Sequence, residues 1–286
     1  MNILSIVWDV NPWMVKFSDT FGVRWYGVLF ACAFLFGYII FSKYFKKEGL
    51  STEKLDQLTL YIALGTVIGA RLGHCFFYDT AYYLEHPLEI LQIWRGGLAS
   101  HGASIGILVA LYLYVRRYKM SFLWLIDRIS VVTALGGFFI RMGNLMNSEI
   151  YGRPTDLPWG FRFIRDTSRI NFTNPNTGEV LGKHLPCHPT QLYEALSYLV
   201  LFFVLFYVIR KYGEKLKDGV IFGWFLIALF TIRFLIEYVK FEQSDFEIGM
   251  ISKLHMNMGQ ALSIPFILLG VVILFWLRRN GKTFWK

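Results

Sequence analysis

An all-α polytopic membrane protein is the fold class that the sequence predicts, and three observations predict it. Apolar runs close to 20 residues long recur along the chain, the length at which a helix crosses a bilayer core. Charged residues make up 17% of the 286 residues and hydrophobic ones 55%, whereas soluble domains carry about 25% charged residues. Lys and Arg gather in the connections between the apolar runs. A soluble fold would need every one of these runs buried on all sides, which a chain of this size can hardly supply.

Taken in order, residues 1–20 hold Trp8, Pro12, Trp13 and Phe17 among polar residues and read as an interfacial segment. Seven spans follow, at roughly 21–42, 57–78, 98–115, 122–141, 191–209, 219–238 and 259–277. Between the fourth and fifth, residues 148–188 form a small outer head, where Pro154, Pro158, Pro175, Gly178 and Pro186 interrupt helices and Gly160–Ile164 could be a short strand. No internal repeat divides the chain, so 1–286 reads as a single transmembrane domain.

The formal net charge of +9 could point to nucleic acid or to a membrane surface. Its distribution favours topology. Lys43, Lys46, Lys47, Lys54, Arg116, Arg117, Lys119, Arg210, Lys211, Lys215, Lys217, Arg278, Arg279, Lys282 and Lys286 fall on one side of the seven spans, and fewer cations fall on the other. The positive-inside rule puts the richer side in the cytoplasm, with the N-terminus outside and the C-terminus inside. Nucleic acid is not an expected partner. Cys32, Cys75 and Cys187 show no metal or disulfide spacing, and the N-terminus lacks the basic region and cleavage site of a removable signal peptide.

With this topology the polar residues inside the spans converge on one depth, just below the outer interface. Tyr26 ends the first span on the outside. Arg71 lies in the outer half of the second, and His101 near the outer start of the third. Arg141, Asn144 and Asn147 close the fourth. His188, Gln191 and Glu194 open the fifth, Arg233 and Glu237 lie in the outer part of the sixth, and Gln260 starts the seventh. An Arg at a span centre costs roughly 2.5–3.5 kcal/mol on insertion scales. Such groups face the protein interior or a water-filled cavity and mark function by default.

Each has a bland alternative. Arg141 and Arg233 could clamp a phosphate in bidentate fashion, or form structural ion pairs or snorkel to the headgroups. His101 could be a general base or a packing histidine. Asn144 could orient a substrate oxygen or cap a helix. Glu149 could pair with Arg153 or Arg141, or be solvated. Tyr26 could be an interface-belt aromatic, and Gly152 serves backbone geometry. Glu237 lies four residues after Arg233, on the same helix face. His184 and His188 are too far in sequence from other plausible ligands to argue for a metal.

The stretch Arg141-x-Gly143-Asn144-x-x-Asn147-x-Glu149-x-x-Gly152 resembles the signature of prolipoprotein diacylglyceryl transferases, the bacterial enzymes that lipidate lipoprotein precursors. Arg24-Trp25-Tyr26-Gly27, Gly69-Ala70-Arg71-Leu72-Gly73, Ser100-His101-Gly102, His188-Pro189-x-Gln191-Leu192-Tyr193-Glu194, Arg233-Phe234-x-x-Glu237 and Met258-Gly259-Gln260 are similar to that family in the same order. The chain departs from it in Ala103 and Ser104 after His101-Gly102, where a second glycine is common, and in Ser148, where glycine is common.

The resemblance implies an enzyme of the bacterial inner membrane with its active site facing the outer leaflet. It would move the diacylglyceryl group of phosphatidylglycerol to the lipobox cysteine of prolipoprotein signal peptides, forming a thioether and releasing glycerol 1-phosphate. It implies catalytic roles for His101, Arg141, Arg233, Tyr26, Asn144 and Glu149. It implies substrate binding by Arg141, Arg233, Asn144, Arg71, Gly152 and Glu237. Partners would be phosphatidylglycerol, prolipoprotein signal peptides and membrane lipids. Two other classes compete: a lipid flippase or secondary transporter, which calls for inverted repeats and broken helices at the midplane, and a scaffold with buried ion pairs.

Overall fold

In the computed structural model the described residues are 5–18, 21–93, 96–166, 171–173, 180–241 and 256–280. Arg95, Arg169, Lys253, Lys282 and Lys286, part of the orientation reading, lie outside them. The helices are α1 (Trp25–Lys47), α2 (Thr52–Phe77), the short α3 (Thr80–Glu85), α4 (Ser100–Tyr118), α5 (Phe122–Met146), α6 (Thr190–Tyr212), α7 (Val220–Ile236) and α8 (Met258–Asn280). Six of them are long and apolar enough to cross a membrane: α1, α2, α5, α6, α7 with the 3-10 turn that follows it, and α8. The protein is therefore a polytopic, mainly helical membrane protein. The third expected span corresponds to α4, which falls outside this group. His101, Arg116, Arg117 and three tyrosines dilute its 19 residues.

The chain forms two compact units, Met1–Gly37 with Ser130–Lys286, and Tyr38–Ile129. The second unit is built on the pairing of α2 with α4. Ser51 caps α2, accepting a hydrogen bond from the Lys54 amide at 3.4 Å, and Glu53 complements the positive end of the helix. Glycines line both facing surfaces. A β-carbon on Gly65 would lie 2.7 Å from the Gly106 carbonyl oxygen, and one on Gly102 would collide with the Gly69 carbonyl. The backbones touch directly, the small-residue packing that membrane helices use in place of a hydrophobic driving force.

Arg71 and His101 belong to this unit. All three Arg71 guanidinium nitrogens donate to backbone carbonyls: Nε to Ile90 at 2.9 Å, Nη1 to Gly96 at 2.7 Å and Gly97 at 3.3 Å, and Nη2 to Glu89 at 2.6 Å. It also stacks on Tyr83, 5.0 Å from the ring centre. Arg71 thus ties the connection between α3 and α4 to α2. His101 is exposed in the first turn of α4, its ring 5.3 Å from Phe77 and 5.7 Å from Tyr78. At the other end of the unit, the buried Arg128 stacks on Trp124 at 4.0 Å and lies 3.7 Å from Glu48.

In the first unit, β1 (Ile6–Trp8) pairs in parallel with β4 (Phe161–Phe163), so the N-terminal segment shares a sheet with the segment between α5 and α6. The strand expected at 160–164 is β4. An antiparallel hairpin joins β2 (Trp13–Lys16) to β3 (Gly22–Arg24), and a second joins β5 (Asn171–Thr173) to β6 (Val180–Lys183). Leu145, Tyr151, Phe161, Phe163 and Cys187 form a buried cluster against which Trp8 packs, and the Trp8 indole donates to the Leu145 carbonyl at 2.9 Å. This cluster anchors the segment between α5 and α6 to the C-terminal end of α5.

Helix α8 begins at a reciprocal cap. The Gln260 amide donates to Asn257 Oδ1 at 2.8 Å, and Gln260 Oε1 accepts from the Asn257 amide at 3.1 Å.

Candidate active site

Helix α5 continues five residues past the expected end of its span, so Arg141 and Asn144 stand one turn apart on the helix while Asn147 lies just beyond it. Two glycines on α5 clear space for aromatic side chains. A β-carbon on Gly137 would meet the Tyr198 ring at 2.9 Å, and one on Gly143 the Tyr26 ring at 2.8 Å. The Tyr198 hydroxyl hydrogen-bonds Arg141, and Tyr26 lies within electrostatic range of Glu149 and Arg141.

Beyond α5 the chain turns sharply. Ser148 and Ile150 both take left-handed backbone angles, φ 56 and 60. Glycine adopts this conformation freely, whereas a side chain there costs roughly 1–2 kcal/mol, and Ser148 stands where the resembled family commonly has glycine. The start of α6 holds the turn in place: Gln191 Nε2 donates to the Glu149 carbonyl at 2.7 Å and Thr190 Oγ1 to the Ile150 carbonyl at 3.0 Å. Gly152 then passes between two backbones. Its amide donates to the His188 carbonyl at 2.8 Å, and it bridges Lys240 in antiparallel fashion. A β-carbon there would collide with the Val239 carbonyl and lie 2.7 Å from Thr190 Cγ2.

These elements assemble a chain of five charges. Arg141 Nε lies 2.7 Å from Glu194 Oε2. Lys240 Nζ lies 2.9 Å from Glu194 Oε1 and 2.9 Å from Glu237 Oε1. Arg233 Nη2 is 3.8 Å from the same Glu237 oxygen. The spatial order 141, 194, 240, 237, 233 alternates in sign. Two polar groups extend it at the Arg141 end. Arg141 Nη1 donates to Asn144 Oδ1 at 3.2 Å, and Asn144 Nδ2 donates to Glu149 Oε1 at 2.8 Å. At the other end Asn257 Nδ2 donates to the Glu237 carbonyl at 2.9 Å, and Gly259 leaves the space that the Glu237 carboxylate fills.

Magnitudes explain the alternation. Two unit charges 4 Å apart attract by roughly 4 kcal/mol at an effective dielectric of 20, while taking an ion out of water costs several kcal/mol. One partner barely offsets that cost. Each glutamate here has two, Arg141 and Lys240 for Glu194, and Lys240 and Arg233 for Glu237. Exposure is graded: the side chains of Glu194 and Lys240 are 0% and 2% exposed, that of Arg141 is 15% and that of Arg233 is 37%. The five groups sum to one positive charge, and Glu149, joined through Asn144, balances it. Among the described residues no group of three or more His, Cys, Asp or Glu could hold a metal ion.

Arg141, Asn144, Glu149, Arg233 and Glu237, all expected at a site, are thus joined in one network, with Tyr26 beside it and Gly152 supporting it. Arg71 and His101 stand in the other compact unit.

A family model described as prolipoprotein diacylglyceryl transferase matches residues 12–276. The chain belongs to the prolipoprotein diacylglyceryl transferase family. It is a membrane-embedded transferase. Among relatives named phosphatidylglycerol–prolipoprotein diacylglyceryl transferase, that of Tolumonas auensis is 45% identical over 94% of this chain and 96% of its own. That of Porphyromonas gingivalis is 44% identical over 97% and 96%, and that of Bacteroides fragilis 40% over 96% of each.

Sequence reading of this transferase left Glu194, Lys240, Tyr198 and Asn257 without a role. Glu194 stands in a motif already recognised, and its placement one turn inside α6 was a usable signal. Lys240 carried none, because a lysine just past a span reads as one more loop cation.

Proposed function

We propose that the chain transfers the diacylglyceryl group of phosphatidylglycerol to the lipobox cysteine of prolipoprotein signal peptides, at the outer leaflet of a bacterial inner membrane. This reading takes seven spans, α4 being the third, with the N-terminus outside. The cysteine sulfur attacks the glycerol carbon that bears the phosphate ester. A carbon–sulfur bond forms, the carbon–oxygen bond breaks with its electron pair going to the phosphate oxygen, and glycerol 1-phosphate departs. The phosphodiester carries one negative charge and the departing monoester approaches two, so the transition state is more anionic at phosphate than the ground state. Groups that answer charge developed only then raise the rate.

Arg141 and Arg233 are assigned to the phosphate. The observation that carries this reading is that both guanidiniums hang from one buried Glu194–Lys240–Glu237 core, whose lysine partly satisfies both carboxylates. Arg233 is the more open of the two, and its 3.8 Å approach to Glu237 leaves donors for an incoming oxygen. Asn144 and Glu149 set the Arg141 side chain and line the headgroup, with Tyr26 beside them. His101 is the candidate acceptor of the thiol proton, since the thiolate is the nucleophile and a free thiol has a pKa near 8.5. Arg71 supports substrate binding through the loop it ties down, and Gly152 and Glu237 through the arrangement of Lys240 and Arg233.

The test mixes purified protein with phosphatidylglycerol and a lipobox peptide and follows peptide mass. The expected product is heavier by one diacylglyceryl unit, with glycerol 1-phosphate released in equal amount. A folded protein that gives no adduct would defeat the reading.

A further inference from the structure

We propose that Lys240 is a positioning residue that frees Arg141 and Arg233 for an anion by sharing its single charge between Glu194 and Glu237. The inference rests on the transferase reading above. Lys240 is buried and acts through its neighbours. Its ammonium is equidistant, at 2.9 Å, from one oxygen of each glutamate. Its backbone is fixed from two sides, by the bridge to Gly152 and by the hydrogen bond from its amide to the Glu237 carbonyl at 3.3 Å.

Removing Lys240 from the charge count shows its effect. Two arginines against two glutamates make two neutral pairs, each guanidinium answered by a carboxylate of its own. An anionic headgroup entering such a site would have to compete with Glu194 for Arg141 and with Glu237 for Arg233. With Lys240 between them the carboxylates are partly satisfied from the buried side, and both guanidiniums keep donors for the anion. That freedom matters more after the carbon–oxygen bond begins to break, when the phosphate carries more charge. Lys240 therefore acts more on turnover than on binding. A lysine with a purely architectural role would affect how much folded protein is obtained, and its replacement would not be repaired by removing a glutamate.

The experiment measures kcat and KM for phosphatidylglycerol with a lipobox peptide, beside thermal unfolding, for wild type, Lys240→Arg, Lys240→Gln and the double variant Lys240→Gln/Glu194→Gln. The double variant has the wild-type net charge without the lysine. Lys240→Gln is expected to lower kcat/KM on the order of 100-fold, chiefly in kcat, the scale of losing one transition-state charge contact. Lys240→Arg stays within about tenfold of wild type. The double variant recovers roughly tenfold over Lys240→Gln, a coupling that independent sites would not show. A folded Lys240→Gln within about threefold of wild type, or a double variant no better than the single one, overturns the inference. If Lys240→Gln does not fold, the comparison of Lys240→Arg and the double variant with wild type decides in the same way. A wild type without activity overturns the transferase reading and this inference with it, whereas an active wild type indifferent to Lys240 overturns this inference alone.

Discussion

Gly152 and Lys240 face each other across an antiparallel bridge, at a point where Gly152 has no room for a β-carbon. The glycine lets the strained turn after α5 lie directly on the segment that leaves α7, and that contact sets the height of the Lys240 ammonium. A residue with no side chain thereby bears on a charge cluster through the backbone of one of its members.

Gly152→Ala should consequently push the Val239–Lys240 backbone away. The expected stability loss is about 1–3 kcal/mol, the usual cost of overpacking, and the activity loss should exceed what the stability change accounts for. Thermal unfolding and kcat/KM measured on the same preparations check this. Equal activity per folded molecule would contradict it.

Arg141→Lys keeps the charge but gives up the planar fork that addresses Glu194 and Asn144 together. kcat is expected to fall on the order of 10²–10³, with folded yield close to wild type. Arg141→Ala is harsher, since it leaves Glu194 with Lys240 as its only close cation, and breaking a buried pair costs roughly 3–5 kcal/mol. Steady-state kinetics with unfolding curves separate the two variants.

The adjacent glycines 136 and 137 make an internal control. A methyl on Gly136 would sit 3.8 Å from Ala33, in ordinary contact, whereas one on Gly137 would press on the Tyr198 ring at 2.9 Å. Gly136→Ala should change stability by no more than about 0.5 kcal/mol. Gly137→Ala should displace the hydroxyl that bonds Arg141 and lower kcat severalfold. Kinetics on both proteins in one detergent are sufficient.

His188 lies in the loop before α6, where burial holds its imidazole below the ordinary value of 6.5. The unfolded chain therefore binds a proton on this residue at a higher pH than the folded one. Stability should be unaffected by His188 above pH 6.5 and should decline as pH falls below it, toward the lowered native value. His188→Gln, which leaves the backbone bond to Gly152 in place, is expected to remove that part of the decline. Unfolding temperatures across pH 5–8 measure it.

The membrane-spanning elements were legible because each is a long apolar run, and periodicity survives any context. α4 was legible as a helix, but its charged and tyrosine residues make span assignment by hydropathy harder. Arg141, Asn144, Glu149, Arg233 and Glu237 announced themselves by the cost of placing them in a bilayer, and the structure unites them. The partners were less accessible. Arg71 looked like an anion ligand, but its nitrogens meet carbonyls of Glu89, Ile90, Gly96 and Gly97, and no side-chain pattern reveals where a loop turns its backbone. Lys240 reads as a loop cation because nothing local marks burial of a lysine between two distant glutamates. The pairing of β1 with β4 joins residues more than 150 positions apart, and strands of three residues leave no periodic trace.

The β-carbon that Gly259 lacks is replaced by the Glu237 carboxylate, and Asn257, next to it, holds the Glu237 carbonyl. Translation delivers α7 well before these two residues. Until α8 enters the bilayer, Glu237 has neither its neighbouring wall nor its amide donor, and the arginine beside it is loosely held. A chain halted between these helices would already possess nearly every residue of the charge network and yet lack the contacts that hold Glu237 in place.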